Sequence, residues 1–396
     1  MITVTEPLTA LLHASHLLSP VDLAAVAAVH ARGLGVRETV LYLADYEQLT
    51  LLPLPGTGVP GRQQLPIEGT LAGRAFRRVE VIAGPADGGT RLWIPLLNGV
   101  ERLGVVEMTL PEAPGQELVD RIRAYVTLVA ELVVVNDAYS DVFSRLRRRK
   151  TLSLAAEMQW ELLPPLTFGT ERVVITGGLE PAYEVGGDSF DYAVNGDTVD
   201  LLVIDAVGHG LPAAVLASVA ISAYRHARRS MLDLPDIAVA IDAALKSQIG
   251  HSQFATAVIA RLDLGTGRLR WINAGHPEPL ILRGPSVVAP PRCPPSRPLG
   301  LQEGKPVVCD TRLEPGDRLL LYTDGITEAR SPAGQFFGED RLADCISSAL
   351  AAGDPAPETV RRLMHSVLAH QADQLQDDAS IVVLEWLTGE AQELTV

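Results

Sequence analysis

Leu201-Leu202-Val203-Ile204-Asp205-Ala206-Val207-Gly208-His209-Gly210 decides how the last two-thirds of this 396-residue chain is read. Its four leading apolar residues form a β-strand that delivers Asp205 at its C-terminal end. Gly208 and Gly210 admit backbone conformations that other residues resist, and Pro212 fits the first turn of a following helix. Leu319-Leu320-Leu321-Tyr322-Thr323-Asp324-Gly325 repeats the scheme of strand, aspartate and glycine. Asp377-Asp378 stands directly before the strand-like run 379–384, and Gly186-Gly187-Asp188-Ser189-Phe190-Asp191 lies upstream. Carboxylates on adjacent strand ends repel unless a cation compensates them, so the pattern suggests hard divalent metals and hydrolysis at phosphate.

Around these motifs the hydrophobic pattern predicts strands at 172–179, 198–204, 256–263, 269–273, 279–282, 318–323 and 380–386. Helices are expected at 212–229, 234–248, 339–350 and 357–369. Strands followed by helix pairs, without regular βαβ alternation, favour a layered α+β fold over a doubly wound one. The proline-rich stretch 285–298 reads as an irregular surface loop near the site. This unit is bounded at 165–388, with 389–396 as a tail.

Residues 1–115 form a separate unit, with helices at 8–18 and 20–32 and strands at 39–44, 48–54, 91–97 and 102–110. Asn98-Gly99 is a hairpin signal between the last two strands. Between the units, 116–164 reads as a helical linker. Leu118, Ile122, Tyr125, Val129, Leu132, Asn136, Tyr139, Phe143 and Leu146 alternate four and three residues apart, a heptad seam with one polar position that could fix register. Such a seam suits a parallel coiled-coil homodimer; the alternative is a helix packed on its own domain. Arg147-Arg148-Arg149-Lys150 interrupts the seam and reads as a solvated face, and Pro164-Pro165 ends the last helix.

The formal charge of −15 disfavours nucleic acid as main partner and gives no electrostatic reason to sit on an anionic membrane. No signal peptide and no apolar stretch of spanning length is visible. Cys293, Cys309 and Cys345 are few and lack C-x-x-C spacing, so neither a disulfide framework nor a zinc site is expected, and the compartment reads as cytoplasmic.

Each aspartate motif is ordinary alone; their joint order is specific. "VGGDSFD" (185–191), "IDAVGHGLPAA" (204–214), "FATAVIARLD" (254–263), "NAGHPEPLIL" (273–282), "LYTDGITEAR" (321–330), "FFGEDRL" (336–342) and "DDASIVVLEW" (377–386) together resemble the SpoIIE/RsbU-type branch of the PPM (PP2C-like) serine/threonine phosphatases. "LSLAAEMQWELLPP" (152–165) resembles the helix that precedes this domain in the family. The resemblance implies an α/β/β/α sandwich with two Mn²⁺ or Mg²⁺ ions held by Asp188, Asp205, the carbonyl of Ala206, Asp324 and Asp377. Gly187, Asp191, His209, Gly325 and Asp378 would support them, and His276 would stabilise the fold. Oxygen ligands suit these ions, and two of them can activate a water and clamp phosphoryl oxygens without a covalent intermediate. The implied substrate is a phosphorylated STAS-type anti-anti-sigma protein.

"IPLLNGVERLGVVEM" (94–108) and "IEGTLAGRAFRRVEVI" (67–82) resemble a GAF domain. That likeness implies a small regulatory ligand, with a plain dimerisation platform as the alternative. Two rival functions stand beside the phosphatase. One is a catalytically degenerate protein acting by binding, against which all four metal aspartates count. The other is a nucleotide phosphodiesterase, disfavoured by the lack of a His-rich metal motif.

Overall fold

Alternation of apolar residues builds the first sheet and gives it two buried faces. A computed structural model describes residues 6–180, 183, 186–248, 253–284, 286–288, 290, 292–372 and 377–387. The expected tail at 389–396, Val185 of the first motif and residues 285, 289 and 291 of the proline-rich stretch lie outside the described residues. The chain divides between Lys150 and Thr151 into two compact units.

In the first unit, α1 (Glu6–Ser15) and α2 (Leu23–Ala31) precede β1 (Glu38–Ala44), β2 (Thr50–Pro53) and β3 (Leu65–Pro66). Then follow α3 (Leu71–Arg78), β4 (Ile82–Ala86), β5 (Gly89–Asn98) and β6 (Glu101–Leu110). The six strands pair antiparallel in the order β3-β2-β1-β6-β5-β4. Leu41, Leu43, Ile94, Val106 and Met108 lie in one apolar core with Leu11, Leu23 and Ala27, while Val40, Tyr42, Trp93 and Val105 lie in another with Ala72, Ala75 and Phe76 of α3. The two-residue period of a strand sends successive side chains into these two cores.

The linker departs from expectation. It is three helices, α4 (Gln116–Asp137), α5 (Val142–Arg147) and α6 (Leu154–Leu162), with breaks after Asp137 and Arg147. Ile122, Tyr125, Val129, Leu132 and Phe143 of the proposed seam belong to the first unit's own core. The Tyr125 hydroxyl donates to the carbonyl of Ala27 at 2.7 Å, and Tyr139 is exposed. Those seam residues close inside the chain, against the sheet and helices of their own unit. The basic run is tied down as well: Arg147 Nε donates to Ala44 O at 2.9 Å, and Arg149 pairs with Glu47 at 3.1 Å.

The second unit opens with α6 and runs through β7 (Thr167–Gly169), β8 (Val173–Glu180), β9 (Asp188–Asn195), β10 (Thr198–Ala206), α7 (Leu211–Arg229) and α8 (Leu234–Gln248). It continues with β11 (Ala255–Asp263), β12 (Arg268–Ala274), β13 (Leu280–Arg283), β14 (Ser286–Val288), β15 (Cys309–Arg312) and β16 (Arg318–Tyr322). The last elements are α9 (Asp324–Thr327), α10 (Gly338–Ala351), α11 (Ala356–His370) and β17 (Ala379–Trp386). One sheet has the order β15-β12-β11-β10-β9 and the other β14-β13-β16-β17-β8-β7. α7 and α8 cover the first through Leu216, Ile221, Ile237 and Ile241, and α10 and α11 cover the second through Leu342, Ile346, Leu363 and Val367. The sheets face each other, with the Phe190 ring seated over Gly177, where a Cβ would come within 2.2 Å of the ring. Four layers, α/β/β/α, result.

Two further departures belong here. Residues 188–195 form a strand, where no strand was expected. Cys293 and Cys309 are joined in a disulfide with Cα atoms 5.6 Å apart, against the expectation of reduced cysteines, so cysteine usage no longer argues for a cytosolic compartment. Among the described residues, no helix is long and apolar enough to cross a membrane.

Candidate metal centre

The sheet registers bring the aspartate motifs to one end of the sandwich. Asp205 on β10 lies directly across from Asp188, the first residue of β9, and across from Thr256 on β11. Cross-strand partners have Cβ atoms about 4.5–5.5 Å apart, so the two carboxylates are immediate neighbours. In the other sheet, Tyr322 at the end of β16 pairs with Ile381 near the start of β17. That register sets Thr323-Asp324 beside Asp377-Asp378.

Glycines allow the backbones to close at this end. Ala206 N donates to Gly187 O at 3.1 Å, and a Cβ on Gly187 would lie 2.0 Å from the Ala206 carbonyl oxygen. A Cβ on Gly325 would lie 1.8 Å from the carbonyl oxygen of Asp378. No other residue type fits either position without moving the chain.

Each carboxylate has its own setting. Asp188 is buried, and its Oδ2 accepts a hydrogen bond from Thr323 Oγ1 at 2.6 Å. Asp378 Oδ2 accepts from Gly186 N at 2.6 Å, and Asp378 N donates to Asp377 Oδ1 at 2.9 Å. Asp205 is half-buried, while Asp324 and Asp377 are exposed. Gln159 of α6, wholly buried, donates from Nε2 to the carbonyls of Asp188 at 3.0 Å and Gly186 at 3.5 Å.

Like charges in this crowd disfavour ionisation. Burial, and then Asp205, hold the Asp188 carboxyl well above the usual range. Asp205 is pushed up to about 7 by burial, then by Asp324, Asp377 and Asp378. Asp324 is raised by burial and then by Asp377, and Asp378 is raised to about 6, chiefly by burial. Among the described residues no three His, Cys, Asp or Glu side chains close on a common point as a finished coordination shell. What the chain presents is a set of hard oxygen donors, mutually repelling, around glycine-lined backbone. This chemistry fits Mg²⁺ or Mn²⁺.

The supporting residues sort differently. Asp191 points away from the cluster and pairs with Arg225 at 2.8 Å and Arg228 at 2.9 Å, both on α7. His209 is exposed on the loop before α7. His276 is buried, its Nδ1 2.8 Å from Thr256 Oγ1, and burial lowers it to about 4, so it stays neutral near pH 7. Thr256 in turn is the cross-strand partner of Asp205. Gln159, Thr256 and Thr323 were not singled out from sequence, because each acts through a partner far away along the chain. The only local signal was that Thr323 precedes Asp324 at a strand end.

Residues 195–387 match the family described as Stage II sporulation protein E, SpoIIE. The matched stretch is 193 of the chain's 396 residues. The match contains Asp205, Asp324 and Asp377 and begins after Asp188. Protein IcfG of Synechocystis sp. is 29% identical over 136 residues, 34% of this chain and 21% of that protein. Phosphoserine phosphatase RsbU of Bacillus subtilis is 24% identical over 237 residues, 60% of this chain and 70% of that protein. Among solved structures, the SiaA-PP2C domain of Pseudomonas aeruginosa superposes with a TM-score of 0.50 at 24% identity, over 59% of this chain and 94% of that domain. The second unit thus has a PP2C-like fold.

Proposed function

We propose that the second unit is a SpoIIE-type, metal-dependent protein phosphatase acting on phosphoserine or phosphothreonine. Asp188 and Asp205 from one sheet meeting Asp324 and Asp377 from the other, at one end of the sandwich, carry this proposal. Those four carboxylates and the Ala206 carbonyl would hold two Mn²⁺ or Mg²⁺ ions. When bound, such ions lower the pKa of a water between them and neutralise phosphoryl oxygens. The chain's own contributions are positional. Asp205 takes the shared place, having carboxylates on either side. Gly187 and Gly325 let the two backbones close, and Asp378 holds the 186–188 loop through Gly186 N. His276, neutral and buried, supplies no proton and serves the fold.

The substrate class follows from the relative named phosphoserine phosphatase, and we read the partner as a STAS-type phosphoprotein. We read the first unit as a GAF-like sensor, supported by α3 falling within 67–82, by β4 starting at Ile82 and by a sheet with a core on each face. Mass spectrometry of small molecules released from the purified protein checks for its ligand.

Hydrolysis of p-nitrophenyl phosphate and of a phosphoserine protein should require added Mn²⁺ or Mg²⁺. Asp205→Asn should lower kcat/KM by more than the roughly 10- to 100-fold expected of an outer-sphere change. Full activity in that variant sinks the metal mechanism. Inactivity of the wild type with every metal and activator favours the binding-only alternative.

A further inference from the structure

Thr323 stands at the N-cap position of α9, with φ −91° and ψ 160°, yet its side chain makes no capping bond. A threonine there ordinarily accepts a hydrogen bond from the first turn of its helix. Here the hydroxyl, wholly buried, is engaged elsewhere. Ser380 N donates to Thr323 Oγ1 at 2.9 Å, and Thr323 N donates to Ser380 O at 3.0 Å. The pair extends the β16–β17 ladder by one rung, with a side-chain oxygen in place of a carbonyl. The second contact of the hydroxyl is Asp188 Oδ2 at 2.6 Å.

A hydroxyl has one proton. Ser380 N–H points at Thr323 Oγ1, which leaves the hydroxyl proton available to donate to the ionised Asp188 carboxylate. Oδ2 is thereby held as an acceptor, and the Ser380 side chain lies against the same carboxyl. The bond also ties β9 of one sheet to β16 and β17 of the other, at the end where the aspartates gather.

We propose that Thr323 is a positioning residue that orients the Asp188 carboxylate for the metal and locks its rotamer across the two sheets. The proposal rests on the metal reading of the site. It goes beyond that reading in assigning a role to a residue that is not itself a ligand. The methyl group has no part in it; the hydroxyl does.

The test uses the full chain with Thr323→Val, Thr323→Ala and Thr323→Ser. Circular dichroism checks folding, calorimetry reads Mn²⁺ binding, and steady-state kinetics separate kcat from KM. Thr323→Val and Thr323→Ala should bind Mn²⁺ about 10- to 100-fold more weakly, the range for partners that orient metal ligands. Activity should return at high Mn²⁺ with KM for p-nitrophenyl phosphate near wild type. Thr323→Ser should stay within about threefold of wild type in Mn²⁺ affinity, because it keeps the hydroxyl. If Val is too disruptive to fold, Ala against Ser decides. Wild-type Mn²⁺ affinity in a folded Val or Ala variant overturns the proposal, as does a Ser variant as impaired as Ala. A wild-type chain that binds no Mn²⁺ at all instead overturns the metal reading beneath it.

Discussion

Asp205 is where charge and stability are coupled most directly. Its ordinary value is 3.8, and burial followed by Asp324, Asp377 and Asp378 pushes it to about 7. The metal-free folded chain therefore holds a proton that the unfolded chain releases. A raised folded value contributes stability that is fully present below pH 4 and is lost as pH rises through 7. His276 works in the opposite sense. Burial lowers it to about 4 from 6.5, so its contribution is present above pH 6.5 and is lost as pH falls through 4. The two overlap in mild acid, and a variant separates them. In EDTA, the thermal midpoint of the wild type should fall relative to Asp205→Asn between pH 5 and pH 8, with the variant ahead at pH 8. Mn²⁺ should reverse that order, since it binds the ionised carboxylate and competes with the proton. Scanning calorimetry across this range, with and without Mn²⁺, is the check, and parallel curves for the two proteins would count against the electrostatic account.

Between α7 and β9, one acidic residue carries the contact. Asp191 is buried and faces two arginines of α7, and Arg225 also donates to Leu162 O at the end of α6 at 2.5 Å. Removing one partner of a buried ion pair leaves the other charges uncompensated, at about 3–5 kcal/mol. Asp191→Ala should therefore lower stability in urea by roughly that amount, whereas a surface carboxylate such as Glu303 should tolerate alanine with a change of about 0.5 kcal/mol or less. This contact also explains what could be seen in advance. β10, β16 and β17 are legible because an apolar run ends or begins at aspartate. β9 is not, because Asp188, Ser189 and Asp191 look like a solvated loop until Thr323 and α7 supply their partners. The α4 seam fails for a related reason. Its spacing records that one face is buried, and it cannot say whether the cover is a second chain or, as here, α1, α2 and the first sheet. The aspartates that form the candidate centre were legible through the joint order of their motifs; the threonines and Gln159 behind them were not, since their roles arise only from strand register.

At the scale of the whole chain, the cysteines separate the two units cleanly. All three lie after residue 290, and Cys293 and Cys309 join residues 16 apart in the sequence. The bond ties the proline-rich segment to β15, the edge strand of the five-stranded sheet. The same segment is held further in by Ser296 N donating to Asn273 O at 2.8 Å and by a two-way backbone pairing of Leu299 with Ala255 at 2.9 Å. Those contacts reach the strands that carry Thr256 and lead to His276, so the bond braces the ground behind Asp205 without touching it. Closing a loop of about 15 residues restricts the unfolded chain by about 3 kcal/mol. Reduction should then lower the melting midpoint of the second unit by roughly 6–12 °C, at about 2–4 °C per kcal/mol. The first unit contains no cysteine and should melt unchanged, which gives an internal reference in the same calorimetric scan. Cys293→Ser in the absence of reductant should reproduce the shift and become insensitive to dithiothreitol. If reductant shifts the wild type and the variant alike, the bond is not what braces the segment, and its packing against β11 and β12 must carry the load alone.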